Sequence, residues 1–291
     1  MMISRRSMLT GAASMATMPL LPHRGLSAGM DRETLEAALA KAQIAPEGYP
    51  QTEIWGFGSR VPGTEIRARQ GARLRRWLVN SLPEPTSLHW HGIRIDNAMD
   101  GVPGVTQEAV PPGGEFLYEF DLPDAGTYWY HSHNQSYEQV ARGLQGPLIV
   151  EEAEAPDVDR EEVLVLDDFR LDPETGAIAP FDNMMDFSHG GRLGNIAVTN
   201  GVFNKTLAVK QNERLRLRLI NTANARIFEL QLQGLDGWIV ALDGMPLEMP
   251  QPIPETFLLA PAQRADLIVD VTAEDDAEAH LVRVERDEAF S

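Results

Sequence analysis

The strongest constraint on the fold is that one β-type sequence pattern occurs twice in the chain. RQGARLRRWLVN at 69–80 aligns with KQNERLRLRLIN at 210–221, and LHWHG at 88–92 aligns with LQLQG at 230–234. PGGEFLYEF at 112–120 matches AQRADLIVD at 262–270 more weakly. Two copies of one supersecondary unit predict two similar domains. We place the boundary between them in the acidic, Pro-containing segment 151–162.

Short alternating segments fill both copies of the repeat. They are rich in β-branched and aromatic residues, and Pro-Gly or Asp-Gly dipeptides such as Pro103-Gly104 and Asp243-Gly244 separate them. The predicted strands cover 73–80, 115–122, 127–133, 213–221 and 264–271. Many short strands joined by tight turns predict an all-β sandwich or barrel of Greek-key type.

The segment that precedes these strands has a different spacing. DRETLEAALAKAQ at 31–43 begins with a cap-like Asp31 and continues with apolar Leu35, Ala38 and Leu39. Apolar residues three and four positions apart predict one short amphipathic helix here.

The first 28 residues have the features of an export signal. Arg5 and Arg6 precede a modestly apolar run that ends in small residues near Ala28. This pattern is typical of a twin-arginine signal peptide and predicts a bacterial periplasmic protein, with an ordinary buried segment as the alternative. The run is too short and interrupted to cross about 30 Å of hydrocarbon, so we predict no membrane span.

The charge balance limits the class of partner. The chain has 43 acidic and 25 basic residues, which gives a formal net charge of −18. Since a nucleic-acid-binding surface must bring Lys and Arg to phosphates, we expect no nucleic-acid partner. The chain contains no cysteine, so neither a disulfide nor a thiolate ligand is available to it.

Four of the seven histidines form two His-x-His pairs, His89 with His91 and His131 with His133. Random placement would give only about 0.2 such pairs, so we interpret them as metal ligands. Residues i and i+2 of a strand point to one face, roughly 6.5 to 7 Å apart. If the two strands are neighbours, four imidazoles face one small volume and suit copper, zinc, iron or nickel. The alternative is that the pairs are chance, with rings packed on aromatics or solvated.

The repeat itself favours the metal interpretation. The second copy has Gln231 and Gln233 where the first has His89 and His91, so the sandwich does not need histidine there for packing. The remaining histidines stand alone, and for them we expect solvated or singly hydrogen-bonded rings. They are His23, His189 and His280.

These motifs also carry a family resemblance. SLHWHGIRIDNAMDGVPGVTQ and PGGEFLYEFDLPDAGTYWYHSH resemble the first cupredoxin domain of the multicopper oxidases, the laccase and bacterial copper-efflux oxidase family. LRLRLINTANARIFELQLQG and LAPAQRADLIVDV resemble the second domain. The resemblance runs from about residue 53 to the end of the chain and implies two tandem cupredoxin-like Greek-key β-sandwich domains.

The expected organisation follows from this resemblance and from the signal. It consists of a twin-arginine signal at 1–28, a short helix and lead-in at 29–52, a copper-ligating domain at 53–153, and a second domain without copper ligands at 154–291.

The resemblance implies roles for the four paired histidines. In the family a trinuclear copper cluster is bound by eight histidines from four motifs, two of them in the first domain. By position, His89 would bind the type 2 copper, His91 and His131 one type 3 copper, and His133 the other.

The resemblance also implies one acidic residue near the copper. Asp100 falls where the family has an acid beside the type 2 copper that relays protons to oxygen. From the sequence alone, a turn role for Asp100 before Gly101 is equally open, and Asp96 is a weaker candidate.

The sequence departs from the family in its remaining motifs. No His-x-His pair follows His133, and no cysteine exists to make the strong copper–thiolate bond of a type 1 site. The chain therefore carries half of the cluster ligands, and three copies of it would not supply the rest. A truncated gene or fragment, a third domain in a separate chain, or a protein that kept copper binding and lost oxidation would each explain this. We expect the isolated 291 residues to hold copper without turnover.

Two functions follow from these observations. The first is the portion of an oxidoreductase that couples one-electron oxidation of a reducing substrate to reduction of O₂ to water, once a third domain completes it. The alternative is a non-catalytic exported copper-binding or scaffold protein. A zinc hydrolase is the least favoured option, because no Glu lies in a His-x-x-Glu-His type of arrangement.

Overall fold

A computed structural model of the chain describes residues 32–274 and 277–284. The signal predicted for residues 1–28 and the lone His23 lie outside the described residues. None of the helices in the described part of the chain has the length and apolar character that crossing a membrane requires.

Eight strands in the first half of the chain form a sandwich of two four-stranded sheets. The strands are β1 (Thr34–Ala42), β2 (Thr52–Phe57), β3 (Ile66–Arg69), β4 (Arg73–Asn80), β5 (His89–His91), β6 (Glu115–Asp121), β7 (Gly126–His131) and β8 (Gln145–Glu151). One sheet has the order β2-β1-β4-β6 and the other β3-β8-β7-β5. A 3₁₀ turn at Asn97–Met99 and helix α1 at Ser136–Gln139 lie between strands. Every one of these eight strands contributes apolar side chains to one core.

The second half of the chain forms a similar sandwich with a larger sheet. Its elements are β9 (Arg160–Phe169), α2 (Met184–Ser188), β10 (Ile196–Thr199), β11 (Arg214–Asn221), β12 (Phe228–Gln233), β13 (Leu235–Leu242), β14 (Met245–Pro252), β15 (Phe257–Leu259), β16 (Arg264–Val271) and β17 (His280–Arg283). The six-stranded sheet has the order β10-β9-β11-β16-β13-β14, and the three-stranded sheet has the order β15-β12-β17. A second apolar core lies in this half of the chain.

The strand pairing confirms the repeat that the sequence indicated. Strand β4 lies between parallel β1 and antiparallel β6, and β11 lies between parallel β9 and antiparallel β16. Strand β5 pairs antiparallel with β7, as β12 does with β17. The aligned segments therefore have equivalent neighbouring strands in the two sandwiches, although the second sandwich has a larger sheet.

The helix predicted within 31–43 is wrong, because residues Thr34–Ala42 form strand β1. Leu35 and Ala37 are buried in the first core, while Thr34 and Glu36 between them are exposed. Apolar residues at 35, 38 and 39 fit helical spacing, but 35 and 37 fit the period of a strand equally well. Pairing with β2 on one side and β4 on the other satisfies the backbone of this segment as a strand.

A buried ionic cluster joins the two sandwiches. Asp266 of β16 is 2% exposed and accepts hydrogen bonds from Arg216 Nη2 at 2.7 Å and Arg218 Nη1 at 3.0 Å. Thr127 of β7, in the first sandwich, donates its hydroxyl to Asp266 Oδ1 at 2.5 Å. Arg218 Nη1 donates to the same hydroxyl oxygen at 2.8 Å. The contacts of Asp266 therefore fix the second sandwich to the strand that carries His131.

We predict that Asp266→Ala destabilises the chain by about 3–5 kcal/mol, because it removes the fully buried carboxylate shared by Arg216 and Arg218 and leaves them only the more exposed Glu152 and Glu161. The matched control is Asp270→Ala on the same strand, since Asp270 pairs with Arg214 while both side chains remain at least one-third exposed. That variant should lose about 0–1 kcal/mol. Urea titrations of both variants measure the difference, and equal losses would contradict this account of the interface.

Candidate metal centre

Strands β5 and β7 bring the two histidine pairs together. Their antiparallel register places His89 opposite His131 and His91 opposite Trp129. Trp90 and Tyr130, which also face each other across the pair, are fully buried in the first core. Since side chains alternate along a strand, the histidines lie on the other face. The expectation that the two histidine segments are neighbouring strands is confirmed.

Three imidazoles are close enough together to share a metal ion. The candidate ligand atoms of His89, His91 and His131 lie within 4.8 Å of one another. His91 Nδ1 lies 3.3 Å from His131 Nε2. His133 follows the end of β7, and its ring centroid lies 5.2 Å from that of His89 and 6.1 Å from that of His131. All four rings line one cleft.

Backbone carbonyls orient two of these rings. His89 Nδ1 lies 2.8 Å from the carbonyl oxygen of Asp100, and His131 Nδ1 lies 2.9 Å from that of Ser132. A carbonyl oxygen only accepts, so each Nδ1 carries the proton and donates it. The Nε2 atoms of His89 and His131 are therefore unprotonated and carry the lone pair that a metal ligand requires, although His131 Nε2 also lies within hydrogen-bond distance of His91 Nδ1.

Burial keeps two of the rings neutral. Desolvation, together with the nearby guanidinium of Arg264, lowers the pKa of His91 to about 4. Burial also holds the pKa of His131 well below its usual value. Neutral imidazole is the form that binds a metal, so neither ring must lose a proton at neutral pH before it can act as a ligand.

Trp129 forms the wall behind these two rings. It is 4% exposed, and its ring stacks on His131 with centroids 4.2 Å apart and on His91 with centroids 4.9 Å apart. The aromatic stack restricts the rotation of both imidazoles. Sequence reasoning did not identify Trp129, although its place opposite His91 follows from the register.

Asp100 lies beside His89. Its carboxylate Oδ1 is 3.3 Å from His89 Nδ1, and its side chain is 33% exposed. Asp96 has a different role, since its carboxylate caps the 3₁₀ turn by accepting from the Ala98 amide at 2.9 Å. Gly101 follows Asp100 with φ of +74°, and any side chain there would overlap the carbonyl of Leu88. The glycine thus allows the Asp100 turn to pack directly against the start of β5.

The far side of the cleft comes from the second half of the chain. The cleft has a volume of about 550 Å³. Opposite the histidines it is lined by residues 222–225, by Pro261 and Ala262, by Asp186 and Phe187 of α2, and by Gly191 and Arg192 after that helix. The sequence analysis did not predict this wall, because its residues form no motif of metal-ligating side chains.

The equivalent positions of the second sandwich carry no imidazole. Gln231 and Gln233 lie on β12, and the Gln233 amide donates to the Gln231 side-chain oxygen at 3.1 Å. The described lone histidines are exposed, with His189 Nδ1 2.8 Å from the Ser188 hydroxyl and His280 Nε2 3.5 Å from Glu278. Their expected solvated or singly bonded state is confirmed.

Sequence comparison places these residues in a known family. Two family profiles, both described as multicopper oxidase, match residues 38–155 and 159–290. The chain belongs to the multicopper oxidase family. Membership implies a copper-binding oxidoreductase, and the cluster of three histidines is the feature of the described structure that agrees with it.

Curated multicopper oxidase relatives are longer than this chain. The Copper resistance protein A homolog of Pseudomonas syringae pv. tomato is 28% identical over 86% of the chain, and the multicopper oxidase MmcO of Mycobacterium tuberculosis is 31% identical over 76%. The chain spans about half the length of these relatives, 49% of each.

Solved structures confirm the fold class. Lac15 from a marine microbial metagenome is 48% identical with a TM-score of 0.78, and the match covers 88% of this chain and 64% of that one. A multi-copper oxidase from Pseudomonas thermotolerans is 39% identical with a TM-score of 0.80, covering 87% and 61%. The fold is all-β, with two tandem cupredoxin-like Greek-key sandwiches.

We predict that the metal-free multicopper oxidase chain loses stability as pH falls from about 6.5 towards about 4, partly because of His91. The folded pKa of His91 is about 4 and its unfolded pKa is 6.5. Between these values the unfolded chain binds the proton more readily, so acidification favours unfolding, whereas above 6.5 neither state is protonated.

The test compares wild type with His91→Gln, the residue type found at the equivalent Gln233, after chelator treatment. Urea titrations at pH 7 and pH 5 give the free energy of unfolding that each protein loses on acidification. This loss should be smaller in His91→Gln than in wild type by on the order of 2 kcal/mol. His189→Gln is the exposed control and should follow wild type. If His91→Gln shows the full acid sensitivity of wild type, the inferred pKa is wrong.

Proposed function

We propose that this chain holds copper through His89, His91, His131 and His133, and that it forms half of a trinuclear site. In the complete oxidase, this site couples one-electron oxidation of a reducing substrate to reduction of O₂ to water. The observation that carries the proposal is the convergence of three imidazoles within 4.8 Å, with the fourth ring lining the same cleft.

The donor set fits copper. All four candidate ligands are imidazoles, which suit copper, zinc, iron and nickel, and family membership favours copper among these. The Nε2 atoms of His89 and His131 are unprotonated because their Nδ1 atoms donate to carbonyls. By analogy with the family, we assign His89 to the type 2 copper, His91 and His131 to one type 3 copper, and His133 to the other.

Copper bound here would supply one-electron chemistry and a place for O₂ to be reduced. The protein supplies orientation and protons. Trp129 fixes the planes of His91 and His131 and keeps water from the back of the site. Asp100 touches both solvent and His89, so we assign its carboxylate to take up protons from solvent and deliver them to the cleft.

The remaining ligands and the type 1 copper must come from elsewhere. We propose a third cupredoxin domain as their source, carried by a longer form of the same polypeptide or by a separate chain. In this scheme residues 53–153 form the copper-ligating domain and residues 154–291 a domain without copper ligands.

We also propose export to a bacterial periplasm through the twin-arginine sequence at 1–28. The similarity to a copper resistance protein A homolog of Pseudomonas syringae supports a role in a compartment that is exposed to copper. Which reducing substrate is oxidised depends on the domain that would complete the site.

Copper binding by the 291-residue chain tests the proposal directly. We expect at least one tightly held copper per chain by elemental analysis, and no oxidation of a phenolic or cuprous substrate by the isolated chain. His89→Gln, His91→Gln and His131→Gln should each weaken copper binding by about 10-fold or more in chelator competition. His189→Gln is the control. Undiminished copper uptake after replacement of all four site histidines would refute the site.

We predict that Asp100→Asn lowers kcat by about 100-fold in the completed oxidase while copper content stays unchanged, because the amide holds no transferable proton. The control is Asp96→Asn, whose side-chain oxygen still accepts from the Ala98 amide and should leave kcat near wild type. Steady-state oxygen consumption measures both. A wild-type rate in Asp100→Asn would assign Asp100 to the turn alone.

A further inference from the structure

A buried arginine of the second domain reaches the histidine strands of the first. Arg264 is the first residue of β16 and is 4% exposed. Its Nε donates to the carbonyl oxygen of Thr127 in β7 at 3.2 Å. Its Nη1 and Nη2 donate to the carbonyl oxygens of Ala262 and Asp243, each at 2.9 Å. The guanidinium is thus held by three backbone oxygens, one of them on the strand that ends in His131.

The same guanidinium lies against the residue after His91. Gly92 has φ of +84°, and a side chain at this position would overlap the Arg264 guanidinium. Two constraints therefore favour glycine at position 92. Its backbone has a left-handed conformation, and the Arg264 guanidinium occupies the space that a side chain would need. Arg264 fixes the end of β5 from outside while it also binds the backbone of β7.

The charge of Arg264 is only partly compensated. Its nearest carboxylate is Asp243 Oδ1, 3.1 Å from Nη1, and the Asp243 side chain is 49% exposed to solvent that screens it. The neighbouring carboxylate, Asp266, already accepts from Arg216 and Arg218. Since an arginine remains protonated at all physiological pH values, a fixed positive charge stands beside the candidate site.

We propose that Arg264 is a positioning residue for the copper site and that its charge raises the reduction potential of the copper bound there. The inference rests on the copper site proposed above. Taking up one electron lowers the charge of a bound Cu(II) by one, so the repulsion from a nearby guanidinium is smaller in the reduced state. The contacts of Arg264 with Thr127 and Gly92 maintain the geometry, and its charge sets the redox balance.

The test measures Cu(II) and Cu(I) dissociation constants of the 291-residue chain by chelator competition, because their ratio gives the reduction potential. In Arg264→Met we expect the affinity for Cu(II), relative to that for Cu(I), to rise about 10-fold. This change lowers the reduction potential of the one-electron couple by about 59 mV. Arg264→Lys keeps the charge and should restore most of the potential. Because lysine makes fewer hydrogen bonds to the backbone carbonyls, Arg264→Lys should hold the site less rigidly and broaden the Cu(II) electron paramagnetic resonance signal.

Two further variants make the result specific. Asp243→Asn retains the oxygen that accepts from the Arg264 amide but removes the opposing charge, so the potential should shift upward. Arg214→Met removes an exposed guanidinium of β11 that pairs with Asp270, and should leave the potential unchanged.

The outcomes separate this inference from the copper site itself. If wild type binds copper and Arg264→Met leaves the potential unchanged, Arg264 has no electrostatic role. If Arg264→Met does not fold, the neutral polar variant Arg264→Gln takes its place, and an unchanged potential in it overturns the inference. If wild type binds no copper, the proposed function fails first.

Discussion

The antiparallel pairing of β5 with β7 is the interaction on which the rest of the site depends. On one face of this pair, Trp90 and Tyr130 are fully buried in the core of the first domain. On the other face, the same register sets His89 opposite His131. A slip of one residue would turn the two aromatic rings out of the apolar core and turn the imidazoles into it. The apolar core therefore fixes the geometry of the candidate ligands.

The site of the first domain also uses the second domain. The duplicated fold leaves hydrogen-bonded glutamines where the first copy has histidines, so only one copy keeps ligand chemistry. The second copy contributes instead through Thr222 to Ala225 at the cleft and through Arg264 at the backbone of β7. The candidate ligands therefore lie on the first sandwich, and residues of the second sandwich line the cleft and hold the backbone of β7.

Local patterns predicted the parts of the fold that local chemistry determines. Strands 73–80 and 264–271 agree with β4 and β16 residue by residue, because turns and alternation mark their ends. Helical spacing predicts a helix within 31–43, yet residues 34–42 form a strand, because the few apolar residues fit two periods and the partner strands lie elsewhere in the chain. The Arg264 contact joins residues 137 positions apart, and no repeat or spacing in the sequence indicates it. The histidine spacing could give the ligands, but not the supports that orient them.

The hydrogen bonds of His89 and His131 to backbone carbonyls bear on how the metal is acquired. These bonds, and the stack on Trp129, exist between groups of the protein alone. The entropic cost of ordering the ligand side chains is thus incurred when the chain folds. In small zinc domains, by contrast, binding of the ion itself drives folding. The folded chain would therefore offer copper a site whose ligands are already oriented.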